Sequence, residues 1–263
     1  MKKWTTSKLR KCKGVDKIAA ITAYDAAFAN LFSDTGIKMI LVGDSVGNNV
    51  LGFDSTLPVT MDMMVHHTAA VSRGAGDVHV VADMPFLSYQ IDDNEAMRNA
   101  GRLIQEGGAD SVKLEGGSER AALVRRMVDN GIPVCAHIGL TPQSVLAFGG
   151  YGMHGKDAAE AERLVASAKD LAEAGAFAIV LECVPDALAA RITAELPIPT
   201  IGIGAGPHCD GQILVMHDLL GINPPDRAPK FAKRYAEIGD AVRKAVSEYA
   251  AEVGAAVFPK ERK

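Results

Sequence analysis

Short apolar runs alternate with longer amphipathic stretches from Ile18 to about Ile222, a pattern that predicts parallel strands joined by helices. Eight such runs can be counted: Ile18–Tyr24, Met39–Ser45, Val78–Pro85, Ser111–Gly116, Ile132–Gly139, Ala178–Val184, Pro199–Gly206 and Gln212–Ile222. Most are apolar without interruption, as strands buried on both faces are. Between them, Thr60–Arg73, Asp92–Glu106, Ser118–Asp129 and Asp157–Glu173 carry apolar residues at helical spacing. Gly36, Gly107-Gly108, Gly131 and Gly175 stand where helices should stop and the next strand begin. Eight parallel strands in one chain favour closure. The expected fold is therefore a single-domain α/β (β/α)8 TIM barrel over residues 1–263, with an N-terminal extension and a C-terminal amphipathic helix over Lys230–Val253 that closes the barrel or packs on a partner. Two connections are long, Val46–Val59 and Thr141–Lys156, and both fall on the strand-exit face. Loops of that length serve as lids or binding loops as readily as they make plain excursions.

A hydrophobic fraction of 48% over 263 residues is enough for a full core. With 28 Lys and Arg against 32 Asp and Glu, the chain has no basic field for nucleic acid or an anionic membrane, which leaves small-molecule chemistry. No apolar run approaches membrane-spanning length, and the N-terminus, basic at Lys2, Lys3, Lys8, Arg10, Lys11 and Lys13, lacks the apolar stretch of a secretory signal. Cys12, Cys135, Cys183 and Cys209 are scattered with no zinc-site spacing and read as reduced thiols in a cytoplasmic protein.

Chemistry in a barrel sits where strands end, and polar residues close five consecutive runs here: Asp44, Asp83, Lys113 with Glu115, His137, and Glu182. An aspartate after a buried strand is commonly a helix N-cap, and a lone histidine is more often a hydrogen-bonded core residue than a ligand. Several carboxylates buried together are costly without a cation, so a metal accounts jointly for Asp44, Asp83 and Glu115, and an all-oxygen set points to Mg²⁺ before Zn²⁺. Lys113 and Glu115 alternate on one strand and point to one side, as an ion pair or as a cation for an anionic substrate. Glu182, between Leu181 and Cys183, is expected in an apolar setting suited to proton abstraction. His66-His67 on one helix face different ways and are expected to be structural. The glycines of Gly202-Ile203-Gly204-Ala205-Gly206 suit either a phosphate cradle or close backbone packing, and neither nucleotide motif is complete.

The segment VGDSVGNNVLGFDSTLPVT (Val42–Thr60) resembles the defining segment of the ketopantoate hydroxymethyltransferases. ITAYDAAFA (Ile21–Ala29), VKLEGG (Val112–Gly117), HIGLTPQSV (His137–Val145), GGYGMHGK (Gly149–Lys156), VLECVP (Val180–Pro185), IGIGAGPHCDGQILVMHDLLGI (Ile201–Ile222) and PKFAKRYA (Pro229–Ala236) resemble that family in the same order. Ala136 before His137 and the pair Met153-His154 depart from its usual pattern. The resemblance implies a (β/α)8 barrel of the phosphoenolpyruvate/pyruvate superfamily. The implied reaction joins 3-methyl-2-oxobutanoate and 5,10-methylenetetrahydrofolate to make 2-dehydropantoate on the route to pantothenate and coenzyme A. It further implies one Mg²⁺ per subunit on Asp44 and Asp83 with Glu115 in the metal shell, substrate contacts from Ser45, Lys113 and His137, Glu182 as general base, and a homo-oligomer, commonly a decamer. One other class fits the strand-end residues alone, a Mg²⁺-dependent 2-oxo acid lyase or phosphonopyruvate-type enzyme, told apart by folate dependence; a non-catalytic barrel that binds a partner is the second alternative, which the clustered buried acids argue against and which failure to bind Mg²⁺ would revive.

Overall fold

A computed structural model describes residues 3–226 and 228–259, so Met1, Lys2, Arg227 and the last four positions of the expected 1–263 domain lie outside the described residues. Its strands are β1 (Ile18–Thr22), β2 (Met39–Val42), β3 (His79–Asp83), β4 (Ser111–Glu115), β5 (Val134–Gly139), β6 (Ala178–Glu182), β7 (Thr200–Ile203) and β8 (Gly211–Leu214). They close in sequence order, each parallel to the next and β8 to β1, as the alternating pattern predicts. The helices are α1 (Thr6–Arg10), α2 (Ala26–Ser33), α3 (Val46–Asn49), α4 (Met61–Gly74), α5 (Asp93–Gln105), α6 (Ala121–Asp129), α7 (Val145–Phe148), α8 (Ala158–Glu173), α9 (Asp186–Glu195), α10 (Met216–Leu219) and α11 (Ile238–Gly254). Side chains of Asp25, Thr60, Asp92 and Asp157 cap α2, α4, α5 and α8 by accepting from free backbone N–H groups. The aspartates that cap helices are thus not the ones that close strands.

Several boundaries differ from the sequence pattern, and three of them change how the chain reads. The second run stops at Val42, where Gly43 turns the chain and α3 soon follows. The eighth run, expected to continue to Ile222, is a four-residue strand followed by the helical turn α10, because pairing with β1 ends at Leu214 and an apolar run alone does not distinguish strand from buried helix. The C-terminal helix begins at Ile238, not Lys230. Backbone N–H groups of Tyr235, Ile238 and Gly239 donate to Leu219, Leu220 and Gly221, which draws this stretch away from helical bonding until Ala241 donates to Glu237. By contact density the chain forms a barrel unit ending at Leu214 and a C-terminal unit from Val215.

Inside the barrel, alternate residues of every strand but β4 form the core: Ile18 and Ala20, Met39 and Leu41, Val81, Cys135, Ala178 and Val180, Ile201, Ile213. Leu9, Cys12 and Trp4 from the N-terminal segment pack under this layer at the strand-entry end. There the Asp210 carboxylate ties the same segment to the barrel, accepting from Lys13 Nζ (2.9 Å) and the N–H groups of Gly14 (3.0 Å) and Thr200 (2.9 Å). Burial opposes the charged form, but the bonds from Lys13, Thr200 and Gly14 outweigh it and hold the carboxyl below its usual value. A depressed carboxyl contributes stability above its unfolded value and loses it as pH falls through the folded one. Asp210→Ala is expected to cost about 2–3 kcal/mol at pH 7. Urea denaturation of both proteins should show the gap closing below about pH 4, and a pH-independent gap would refute this origin.

Candidate active site

Strand alternation and register assemble the site. Asp83, His137 and Glu182 lie two residues beyond the interior core positions Val81, Cys135 and Val180, so their side chains enter the barrel one layer higher. Lys113 and Glu115 point the same way from β4, and parallel pairing sets Asp83 opposite Lys113, Glu115 opposite His137, and Gly139 opposite Glu182. Gly139, at φ 96°, leaves no room for a Cβ, which would overlap the Glu182 carbonyl oxygen. Asp44 is two residues past β2, in the turn that starts α3, where its backbone N–H donates to Asp83 Oδ2 (3.1 Å).

The charged groups form a connected line. Lys113 Nζ lies 3.0 Å from Asp83 Oδ1 and 3.2 Å from His137 Nδ1. The other imidazole nitrogen, Nε2, lies 3.2 Å from Glu182 Oε2, and Glu115 Oε1 is 3.5 Å from Nδ1. An ammonium can donate only to an unprotonated Nδ1, so neutral His137 carries its proton on Nε2, facing Glu182. Lys113 is indeed ion-paired, but with Asp83 on the neighbouring strand and not with Glu115. Asp44, Asp83, Lys113, Glu115 and His137 are all at most 5% exposed, whereas the Glu182 side chain is 17% exposed. Glu182 therefore stands at the open side of a sealed cluster, beside an imidazole instead of in the wholly apolar setting its sequence neighbours suggest.

Burial pushes the Asp44 carboxyl well above the usual range, and neighbouring Asp83 and Glu115 push it further. Burial raises Asp83 too, against the pull of Lys113. For Lys113, burial acts to lower the ammonium, but Asp83, Glu115 and Asp44 together hold it above its ordinary value, so it stays charged. His137 is likewise raised: burial and Lys113 oppose its charged form, and Glu115 and Glu182 outweigh them. Burial takes the Cys135 thiol, opposite Lys113, up to about 12 and leaves it inert.

The residue that the strand-end pattern missed is Gln143. It is buried in the turn after β5 and reaches the ends of β2, β3 and β4: Nε2 donates to Asp44 Oδ2 (2.8 Å) and the Met84 carbonyl (2.9 Å), and its N–H donates to Glu115 Oε2 (3.0 Å). Its Oε1 accepts from the Tyr89 hydroxyl (2.8 Å), which itself accepts from the Glu115 N–H (3.1 Å). A glutamine after Thr141-Pro142 gives no periodic signal; its place in a long strand-exit loop was the available clue. Tyr24, also missed, bonds Ser45 through their hydroxyls (2.9 Å) and so orients the serine at the site's edge.

Among the described residues, no three His, Cys, Asp or Glu side chains are grouped tightly enough to chelate an ion alone. The oxygen donors of Asp44 and Asp83 nevertheless fit a cation such as Mg²⁺, which takes one or two carboxylates and completes its shell with water and substrate. Their raised values express the charge such an ion would neutralise. Glu115 is engaged by the Gln143 N–H and faces His137. Neither His66 nor His67 joins this cluster: His67 Nδ1 bonds the Tyr24 carbonyl at 2.7 Å, and the two rings meet edge to face. A Cβ at Gly206 would meet the Asp186 carboxylate, so this glycine loop packs against an acid, a poor phosphate cradle. A surface hollow of about 580 Å³ lies beside Thr6, Arg10, Lys11, Pro133 and Phe177, at the strand-entry end and so opposite the titratable cluster.

The family model described as ketopantoate hydroxymethyltransferase matches residues 3–261. The chain is 57% identical to the 3-methyl-2-oxobutanoate hydroxymethyltransferase of Syntrophus aciditrophicus (strain SB), over 98% of this chain and 95% of that one. It is 56% identical to the protein of that name from Carboxydothermus hydrogenoformans, over 100% and 95%. Among solved structures, phosphonopyruvate hydrolase in complex with oxalate and Mg²⁺ shares the fold at a TM-score of 0.64 and 13% identity, covering 98% of this chain and 92% of that one.

Proposed function

Because the chain belongs to the ketopantoate hydroxymethyltransferase family and so forms ketopantoate from 3-methyl-2-oxobutanoate, we propose that it works through an enolate made at the strand-exit cluster, with 5,10-methylenetetrahydrofolate as one-carbon donor. The observation that carries this reading is Glu182 held 3.2 Å from His137 at the open side of a sealed group that contains Asp44, Asp83 and Lys113. Asp44 and Asp83 would hold one Mg²⁺ per subunit, which when bound supplies Lewis acidity to the substrate's keto oxygen. The Mg²⁺ in the phosphonopyruvate hydrolase complex, a barrel of the same fold, supports this.

Glu182 removes the C3 proton of the 2-oxo acid, and His137 orients it from Nε2. The Lys113 ammonium, kept charged by its carboxylate neighbours, faces the developing enolate oxygen. Ser45, oriented by Tyr24, holds the substrate carboxylate. Water cleaves the donor's two C–N bonds to the methylene carbon, its hydrogens going to the folate nitrogens as tetrahydrofolate leaves, and C3 bonds to the carbonyl carbon so released, whose oxygen takes the proton held by Glu182.

The test is NMR of 3-methyl-2-oxobutanoate in D2O with and without Mg²⁺, then with the folate added. Metal-dependent deuteration at C3 followed by folate-dependent ketopantoate is the expected result. Exchange with no product would sink the transfer step and favour a lyase-type relative.

We assign the protein to the cytoplasm as a homo-oligomer, a decamer by family resemblance. Free thiols at Cys12, Cys135, Cys183 and Cys209 support the compartment, and among the described residues no helix is long and apolar enough to cross a membrane. The exposed apolar face of α11, with Val242, Val246, Tyr249 and Val253, supports assembly. A monomer in light scattering would contradict it.

A further inference from the structure

The strap from Leu146 to Lys156 crosses from β5 toward β6 and is pinned at both ends to the site. At its start, Gln143 bonds Asp44 and Glu115. At its end, the His154 N–H donates to the carbonyl of Cys183 (2.9 Å), the residue after Glu182. Glu160 secures that end by accepting from the Gly155 N–H (2.7 Å) and bonding His154 Nδ1 (2.8 Å). Gly155, at φ 82°, is locked as well, because a Cβ there would press into Leu188.

Between these anchors the strap is open. A Cβ added at Gly149, Gly150 or Gly152 would meet nothing within 4 Å. Large apolar side chains on the strap are exposed, Leu146 at 81%, Tyr151 at 60%, Met153 at 45% and Phe148 at 44%. Four such residues on one short loop beside a catalytic cluster are a patch that needs an occupant. Phe148 is already set against the His154 ring, centroids 4.3 Å apart, and so forms an aromatic ledge fixed next to the Glu182 strand end. Burial and the charges of Asp44, Glu182 and Glu115 raise the Tyr151 phenol.

The sealed cluster suits a small anionic acid, but the carbon donor must arrive at the open side, where Glu182 stands. Resting on the folate reading above, we propose that the strap is the donor subsite: Phe148, tilted at 46° against His154, makes the floor for the donor's flat heteroaromatic ring, and Tyr151 closes over it. Aromatic faces and the Met153 thioether are the surfaces that stack on such a ring. The exposed Lys156 at the strap's end matches the donor's carboxylate tail. The subsite is needed for transfer and not for enolate formation, and this separation makes it testable.

The experiment compares wild type, Tyr151→Ala and Tyr151→Phe in two assays: C3 deuterium exchange of the 2-oxo acid without folate, and ketopantoate formation against 5,10-methylenetetrahydrofolate concentration. Tyr151→Ala is expected to raise KM for the folate about tenfold, the loss of one good stacking contact, with exchange within about twofold of wild type. Tyr151→Phe, which keeps the ring, should restore the folate KM. An unchanged folate KM in Tyr151→Ala would overturn the proposal. So would a parallel fall in exchange, because the strap would then cover the 2-oxo acid. If wild type exchanges but makes no product with the folate, the folate reading fails and the subsite falls with it.

Discussion

Glu182→Gln is expected to bind 3-methyl-2-oxobutanoate as wild type does, yet exchange its C3 hydrogen for deuterium at least about 10²-fold more slowly. The amide keeps the size of the side chain and its 3.2 Å approach to His137 Nε2, so the site's shape survives. What is lost is the ability to take up a proton. Lys113, Asp83 and Asp44 do not touch Glu182 within the described contacts and should hold the substrate as before. Exchange followed by NMR, with binding measured by calorimetry, separates the two effects. Near-normal exchange would remove Glu182 as the base.

Asp44→Asn should abolish Mg²⁺-dependent turnover and at the same time stabilise the metal-free protein. Burial and the charges of Asp83 and Glu115 raise the Asp44 carboxyl in the fold, so its ionised form is uncomfortable there. The sign follows from linkage: stability that rests on the protonated form is full below the unfolded value of about 3.9 and is lost as pH rises through the folded value. An asparagine carries no charge to lose and still accepts from Gln143. The unfolding midpoint of the metal-free variant should exceed wild type by about 2–4 °C, about 1 kcal/mol for a chain of this size, with the gap widening from acid to neutral pH. Added Mg²⁺ should raise the midpoint of wild type only. A metal-free variant less stable than wild type at pH 7 would mean that Asp44 is already neutralised by the protein alone.

Much of this was visible in one sequence, for a definite reason. A parallel strand writes its burial as an apolar run, and a polar residue can interrupt such a run only at its end or at a cost, so Asp83, Lys113, Glu115, His137 and Glu182 announced themselves. Gln143 and Tyr89 did not, because they lie in connections where polar residues are ordinary and only the fold shows that they are buried. Register was also hidden. Nothing in the spacing told that Lys113 would face Asp83 across β3 and β4 and not its own strand-mate Glu115. The apolar run 212–222 misled for the opposite reason: continuous hydrophobicity marks burial but not the backbone conformation that achieves it.

The clamp of Asp210 on Lys13, Gly14 and Thr200, with Trp4, Leu9 and Cys12 packed above it, sits at the strand-entry end, a full strand length from the reacting groups. For protein engineering this is a division of labour between the two rims. Libraries confined to the exit loops at Val46–Val59 and Thr141–Lys156 leave that foundation untouched, so a search for acceptors other than 3-methyl-2-oxobutanoate can explore many substitutions before it meets the folding threshold.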